Sequence, residues 1–194
     1  MSENECLNAD WRLIGHDDGQ SGKPRSILGA YRKDCAQYGV TPNQHEYEEG
    51  RDQGLTFYCT RDNGYRVGRS NPVYKGVCPA VLEIDFQNGY EMGRSVNRAV
   101  SRVERVNSLI RYTRRDMVDL EDEIRELQRE VQSDQLSREE SAVKQDRIAS
   151  MNRQIGRLEG KLEGFIHDRV LLILEYREVV KTAQSEGFYE PMRY

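Results

Sequence analysis

The sequence predicts a mainly α protein: a small disulfide-stapled helical domain followed by a long antiparallel coiled-coil hairpin. Three observations carry this. Residues 1–95 hold all four Cys, the only Trp, 12 of the 16 Gly and four of the five Pro, whereas residues 96–180 contain neither Pro nor Cys. The second half carries an apolar seven-residue repeat. Hydrophobic residues are only 37% of the 194, against 32% charged, with a mean hydropathy of −0.84. That is too lean for one large core and suits an elongated structure with much surface per residue.

The hairpin follows from the repeat. Val96, Val103, Ile110, Met117, Ile124 and Val131 fall at position a, and Ala99, Val106, Thr113, Leu120 and Leu127 at position d. All but Thr113 are apolar, which over about five heptads predicts a coiled-coil helix. Carried backward, the register reaches Met92, Gly89 and Leu82, and Pro79 suits a first helical position. One helix is therefore expected from about Pro79 to Ser133, roughly 80 Å long at 1.5 Å per residue. The pattern breaks near 133–137, and Ser137 with Glu140 forms a capping box that starts a new helix. A second register follows at Ile148, Met151, Ile155, Leu158, Leu162 and Phe165. It falters at Arg169 and becomes apolar all round at 170–174. Two long helices joined by a short turn make an antiparallel hairpin over about 80–185. The all-round apolar stretch is expected beside residues 97–100, covered there by both the partner helix and the compact domain. Residues 186–194 are expected as a tail laid on that domain.

In the domain at 1–95, Leu7, Trp11 and Ile14 have helical spacing. Ile27, Tyr31, Cys35 and Tyr38 share a helical face, and Gly39 suits the stop. Asn43 with Glu46 caps a helix running through Tyr47, Gly50, Gly54 and Tyr58. Residues 60–78 read as loop, with Asn63-Gly64, Gly68, Asn71-Pro72 and Gly76, and with room for a short β-hairpin.

The candidate binding residues begin with an internal repeat. Tyr47-x-x-Gly50-Arg51, Tyr65-x-x-Gly68-Arg69 and Tyr90-x-x-Gly93-Arg94 share Tyr-x-x-Gly-Arg. Close helix packing under the tyrosines is one reading; an anion- or glycan-binding groove built on Arg51, Arg69 and Arg94 is the other. Cys6, Cys35, Cys59 and Cys78 contain no C-x-x-C pair, so a zinc site is poorly supported. Two disulfides suit an even count in a core-poor domain. Of the three pairings, Cys6–Cys35 with Cys59–Cys78 is favoured because each closes a local loop, and buried free thiols are the alternative. Gly156, Gly160 and Gly164 fall outside the heptad seam, where each costs about 1 kcal/mol against Ala. They read as tolerated instability or as a surface where another helix, from a partner or a second copy, approaches closely.

A net charge of −4, from 29 basic and 33 acidic residues, is neither a nucleic-acid footprint nor a polybasic membrane patch. No run approaches the ~18 apolar residues of a spanning helix, and the opening residues lack a basic region and an apolar segment. The chain is either cytosolic or exported with its signal removed, and disulfides decide between these. No nucleophile motif supports catalysis. His16 with Asp10, Asp17 and Asp18 reads as a metal or acid/base cluster or, preferred, as a solvated turn or helix end; His45 and His167 are isolated, and no metal or other cofactor is expected.

A resemblance adds to this. Glu5-Cys6, Asp10-Trp11, Ile14-Gly15, Asp18-Gly19, Gly22, Cys35, Gly39-Val40, Gly54-Leu55, Tyr58-Cys59, Gly64-Tyr65, Tyr74-x-Gly76-x-Cys78-Pro79 and Phe86, together with the Tyr-x-x-Gly-Arg motifs and the coiled coil, resemble a family of Gram-negative envelope proteins. Its members are mostly described as lipoproteins, and its function is unknown. The resemblance implies export to the periplasm or outer membrane, with membrane attachment only through a lipid anchor that this chain does not carry. The expected function is a non-enzymatic envelope binding or scaffold protein, with the hairpin presenting the surface for a protein partner. An immunity or inhibitor protein that blocks a secreted toxin or envelope hydrolase is the alternative. A cell-wall enzyme using Asp10, Asp17 and Asp18 is the third reading.

Overall fold

A computed structural model describes residues 1–70, 73–133 and 136–194; Asn71-Pro72 and residues 134–135 of the expected turn lie outside the described residues. Among those described there are seven helices and no strand: α1 (Glu3–Leu7), α2 (Trp11–Gln20), α3 (Ile27–Ala36), α4 (Gln44–Tyr58), α5 (Arg61–Ser70), α6 (Ala80–Val131) and α7 (Arg138–Ser185). The chain divides into two compact units, residues 1–98 with 180–191, and residues 99–179 with 192–194.

In the first unit the caps decide where helices start. Asp10 accepts from the Leu13 N–H at 3.0 Å and opens α2. Leu7 therefore ends a separate helix and is exposed, while Trp11 is buried. Asn43 accepts from the Glu46 N–H at 3.3 Å and opens α4. Gly39, at φ +69°, adopts the left-handed conformation just past α3. The expected loop at 60–78 is instead helical over Arg61–Ser70. Thr60 caps it by accepting from the Asn63 N–H at 3.2 Å, and close packing on α6 outweighs the poor helix propensity of its two glycines.

The disulfides are Cys6–Cys35, tying α1 to α3, and Cys59–Cys78, tying the end of α4 to the segment before α6. Their Cα separations are 5.5 and 5.6 Å. Such bonds persist in an oxidising, non-cytoplasmic environment. Cys6, Cys35 and Cys59 are buried, and Cys78 is half-buried. A mild reductant is therefore expected to open Cys59–Cys78 first, giving two labelled thiols in a mass spectrum while Cys6–Cys35 stays closed. Each bond closes a loop worth roughly 3–4 kcal/mol in the chain-entropy model.

In the second unit α6 and α7 run antiparallel. Every a and d position of α6 from Ala99 to Val131 is buried or half-buried. Ile124, Leu127 and Met151 form a core that Leu120, Ile148 and Ile155 extend. Ser137 and Glu140 make the capping box at the start of α7: the Ser137 N–H donates to Glu140 at 2.9 Å and the Glu140 N–H to Ser137 Oγ at 3.2 Å. Ion pairs Arg102–Glu175, Glu123–Arg147 and Glu130–Lys144 cross between the helices. All lie at the surface, with Lys144 half-buried, so they select the antiparallel register more than they stabilise it.

Two expectations for α7 are corrected. The register does not falter at Arg169: it continues in threes and fours through Arg169, Leu172 and Tyr176, all half-buried or buried. A long Arg stem can line a seam and carry its charge outward. The apolar run is also not covered on every side. Leu172 and Ile173 turn inward, but Val170, Leu171 and Leu174 remain 51, 53 and 52% exposed. Leu171 and Leu172 lie beside Arg102 to Leu109, not beside residues 97–100.

Candidate functional site

The Gly-rich repeat builds two interlocked helix pairs in the first unit. In one, Gly15 and Gly19 of α2 meet the backbone of α4, and Gly50 and Gly54 of α4 meet that of α2. A Cβ at Gly15 would lie 2.0 Å from the Tyr47 carbonyl oxygen, and one at Gly50 would lie 1.9 Å from that of Arg12. The second pair repeats this: Gly64 and Gly68 of α5 against Phe86 and Tyr90 of α6, with Gly89 and Gly93 of α6 against Arg61 and Tyr65 of α5. In each pair an i, i+4 glycine couple on both helices removes the side chains that would hold the backbones apart. The contacts left are Cα–H groups facing carbonyl oxygens.

Each pair also carries a buried carboxylate held by a tyrosine and a cation. In the first, the buried Asp18 accepts from the Tyr47 hydroxyl at 2.8 Å and the Tyr31 hydroxyl at 3.3 Å, and pairs with Lys23 at 2.8 Å. In the second, Glu190 comes from the C-terminal segment. It accepts from the Tyr65 hydroxyl at 2.7 Å and from both arms of the Arg69 guanidinium at 2.8 and 2.9 Å. Phe188 stacks on Tyr65 with ring centres 4.3 Å apart, and the Arg61 guanidinium sits 4.2 Å above Phe188. Nearby, Tyr58, Tyr74, Phe86 and Tyr90 form an aromatic cluster, in which the Tyr74 hydroxyl donates to Glu83 at 2.6 Å.

Burial first, and the carboxylate hydrogen bonds second, hold the Tyr47 and Tyr65 phenols well above their ordinary value. Tyr74 is pushed up to about 12 by burial and then by its bond to Glu83. The hydrogen bond to Asp18 raises the Lys23 ammonium. All four groups keep their protons longer when folded. The stability they contribute is complete below about pH 10, where unfolded Tyr and Lys begin to deprotonate, and is lost as pH rises toward the folded values. Tyrosinate absorbance should therefore appear in two stages. The late stage belongs to the buried Tyr47, Tyr65 and Tyr74 phenols, which ionise only above the ordinary phenol range near pH 10, together with loss of the helical circular dichroism.

The residues singled out in the sequence fall as follows. Arg51, Arg69 and Arg94 do not converge on a groove. Arg51 is buried and donates to the Lys23 carbonyl at 3.1 Å. Arg69 is taken up by the chain's own Glu190, and Arg94 lies 5.6 Å above the Tyr90 ring. Asp10, Asp17 and Asp18 do line one open depression, with Glu5, Lys23 and Tyr31. However, Asp10 serves as a helix cap and Asp18 is committed to its buried network, which leaves only the exposed Asp17, 3.4 Å from His16 Nδ1, outside the structural hydrogen bonds of the unit. Gly156, Gly160 and Gly164 face open space, with nothing within 4 Å of an added Cβ. Glu190, Tyr31 and Lys23 were missed. The repeat does carry part of the signal, because Tyr and Arg four residues apart share a helical face, but no local pattern points to their carboxylates.

The second unit holds an open groove of about 440 Å³ between α6 and α7. Its floor is Val106, Leu109, Leu171 and Leu172; Arg102 and Arg105 edge it on α6, Asp168 and Glu175 on α7. Among the described residues no group of three His, Cys, Asp or Glu could hold a metal ion, and no helix is long and apolar enough to cross a membrane.

Neither a curated protein nor a solved structure matches this chain. A family model described as "Protein of unknown function (DUF2799)" matches residues 10–95, which contain both glycine-interlocked pairs and three of the four cysteines. The chain thus carries a DUF2799 domain, of unknown function, at residues 10–95, and the hairpin unit lies beyond the match.

Proposed function

We propose that the protein is a non-enzymatic binding or scaffold protein of the Gram-negative cell envelope, in the periplasm or at the outer membrane, and that its hairpin supplies the surface for a protein partner. The observation that carries this is the pair of disulfides in a domain otherwise poor in core. They suit an exported protein with few apolar residues. The half-exposed Val170, Leu171 and Leu174 beside a groove support the hairpin as the contact face.

Cell fractionation combined with photo-crosslinking tests this. A crosslinkable residue at Leu171 is expected to trap a defined envelope protein, and one at the exposed Val81 of α6 is not. Recovery in the cytoplasm, or an identical crosslink pattern from both positions, would contradict the reading.

A further inference from the structure

We propose that the groove between α6 and α7 docks the same groove of a second copy of this chain, forming a four-helix dimer; this rests on the reading of the hairpin as a contact surface. The first ground is the unmet demand of α7. A helix apolar on every face belongs in an interior, yet Val170, Leu171 and Leu174 are each about half exposed, as are Tyr112 and, less so, Leu109 on α6. One hairpin partner covers one side of the run and a second helix pair would cover the other.

The second ground is charge. The α6 edge of the groove is basic, with Arg102 and Arg105, and the α7 edge is acidic, with Asp168 and Glu175. Arg102 and Glu175 already pair within the chain, whereas Arg105 and Asp168 have no ion-pair partner among the described residues. A two-fold axis parallel to the hairpin lays α6 of each copy on α7 of the other. Every neighbouring helix is then antiparallel, as in an up-down bundle. Arg105 of each copy meets Asp168 of the other, twice, because an isologous interface repeats each contact. A two-fold axis across the hairpin would instead set α6 on α6, with arginine against arginine, and is excluded by repulsion. Gly156, Gly160 and Gly164 lie on the same face of α7 as Asp168, Leu171 and Glu175, four or fewer residues apart in succession, so the face stays open along its length.

The test is the solution mass of the full chain by sedimentation equilibrium. The unaltered protein is expected as a dimer at micromolar concentration. Arg105→Asp alone and Asp168→Arg alone should each raise the dissociation constant by about tenfold or more, since each sets like charges face to face twice. Mixing these two variants should restore the dimer, because both charge pairs re-form only between unlike copies. Helical circular dichroism identical to that of the unaltered protein shows that each variant folds. A monomer at micromolar concentration overturns the proposal; so does a dimer that neither substitution weakens, or one that mixing fails to restore. Within the dimer Leu171 faces the second copy, so the envelope protein it traps is this chain itself; a monomer whose Leu171 crosslinks a different envelope protein overturns the dimer alone, and recovery of the dimer in the cytoplasm overturns the envelope reading alone.

Discussion

Gly50→Ala is expected to lower the stability of the first unit by about 3 kcal/mol or more, toward the upper end for overpacking. The added methyl would stand 1.9 Å from the Arg12 carbonyl oxygen and 3.0 Å from its Cα. Both are backbone atoms, so no side chain can rotate away, and α2 and α4 must separate along their length. Separation would also disturb the Tyr47–Asp18 hydrogen bond that spans the same pair. Gly93→Ala, with a Cβ 2.2 Å from the Tyr65 oxygen, should behave alike in the second pair. Gly156→Ala is the control: it meets open space and should stabilise α7 by up to about 1 kcal/mol through helix propensity alone. Urea unfolding of the three variants reads this directly. Equal and small effects at all three positions would show that the helix pairs are not interlocked through their glycines.

Glu190→Ala should cost about 3 kcal/mol, because it strands the Arg69 guanidinium and the Tyr65 hydroxyl in a site that excludes most water. The Arg69 side chain is 16% exposed and that of Glu190 5%, so solvent can screen little of what is left unpaired. The loss should release the C-terminal segment: Phe188 leaves Tyr65, and carboxypeptidase trims the chain past Tyr189 faster. The double variant Arg69→Met/Glu190→Leu should recover much of the stability, since apolar replacement of a buried pair is often neutral. If Glu190→Ala unfolds at the same urea concentration as the unaltered protein, the carboxylate is not what holds the tail.

The hairpin was legible because its signal is periodic. An apolar seven-residue repeat has one helical interpretation, and the Ser137–Glu140 box marks the second start without reference to anything distant. What failed locally was what depends on tertiary contact. Residues 61–70 contain Asn, two Gly and few apolar side chains, so propensity reads them as loop; they are helical because Gly64 and Gly68 lie against the α6 backbone. Arg169 reads as a break in an apolar row, but its stem continues the seam. Val170 to Leu174 read as covered by the partner helix and the compact domain together, because an all-round apolar run carries no sign of what covers it. The site suffered similarly. Tyr-x-x-Gly-Arg marks close packing, yet the acid that Arg69 needs lies 121 residues away in a tail without a motif. Three arginines in identical motifs suggested a shared groove, and each instead satisfies its own neighbourhood.

The central claim is that this is an exported protein stapled by two disulfides. The measurement that tests it most directly is the intact mass of the protein taken from its own cells without reductant, before and after thiol alkylation under denaturing conditions. The account predicts a mass four hydrogens below that of the reduced chain, from two bonds that each remove two, with no alkylation, and peptides joining Cys6 to Cys35 and Cys59 to Cys78. Four alkylated thiols would contradict it, and the envelope reading would fall with the disulfides.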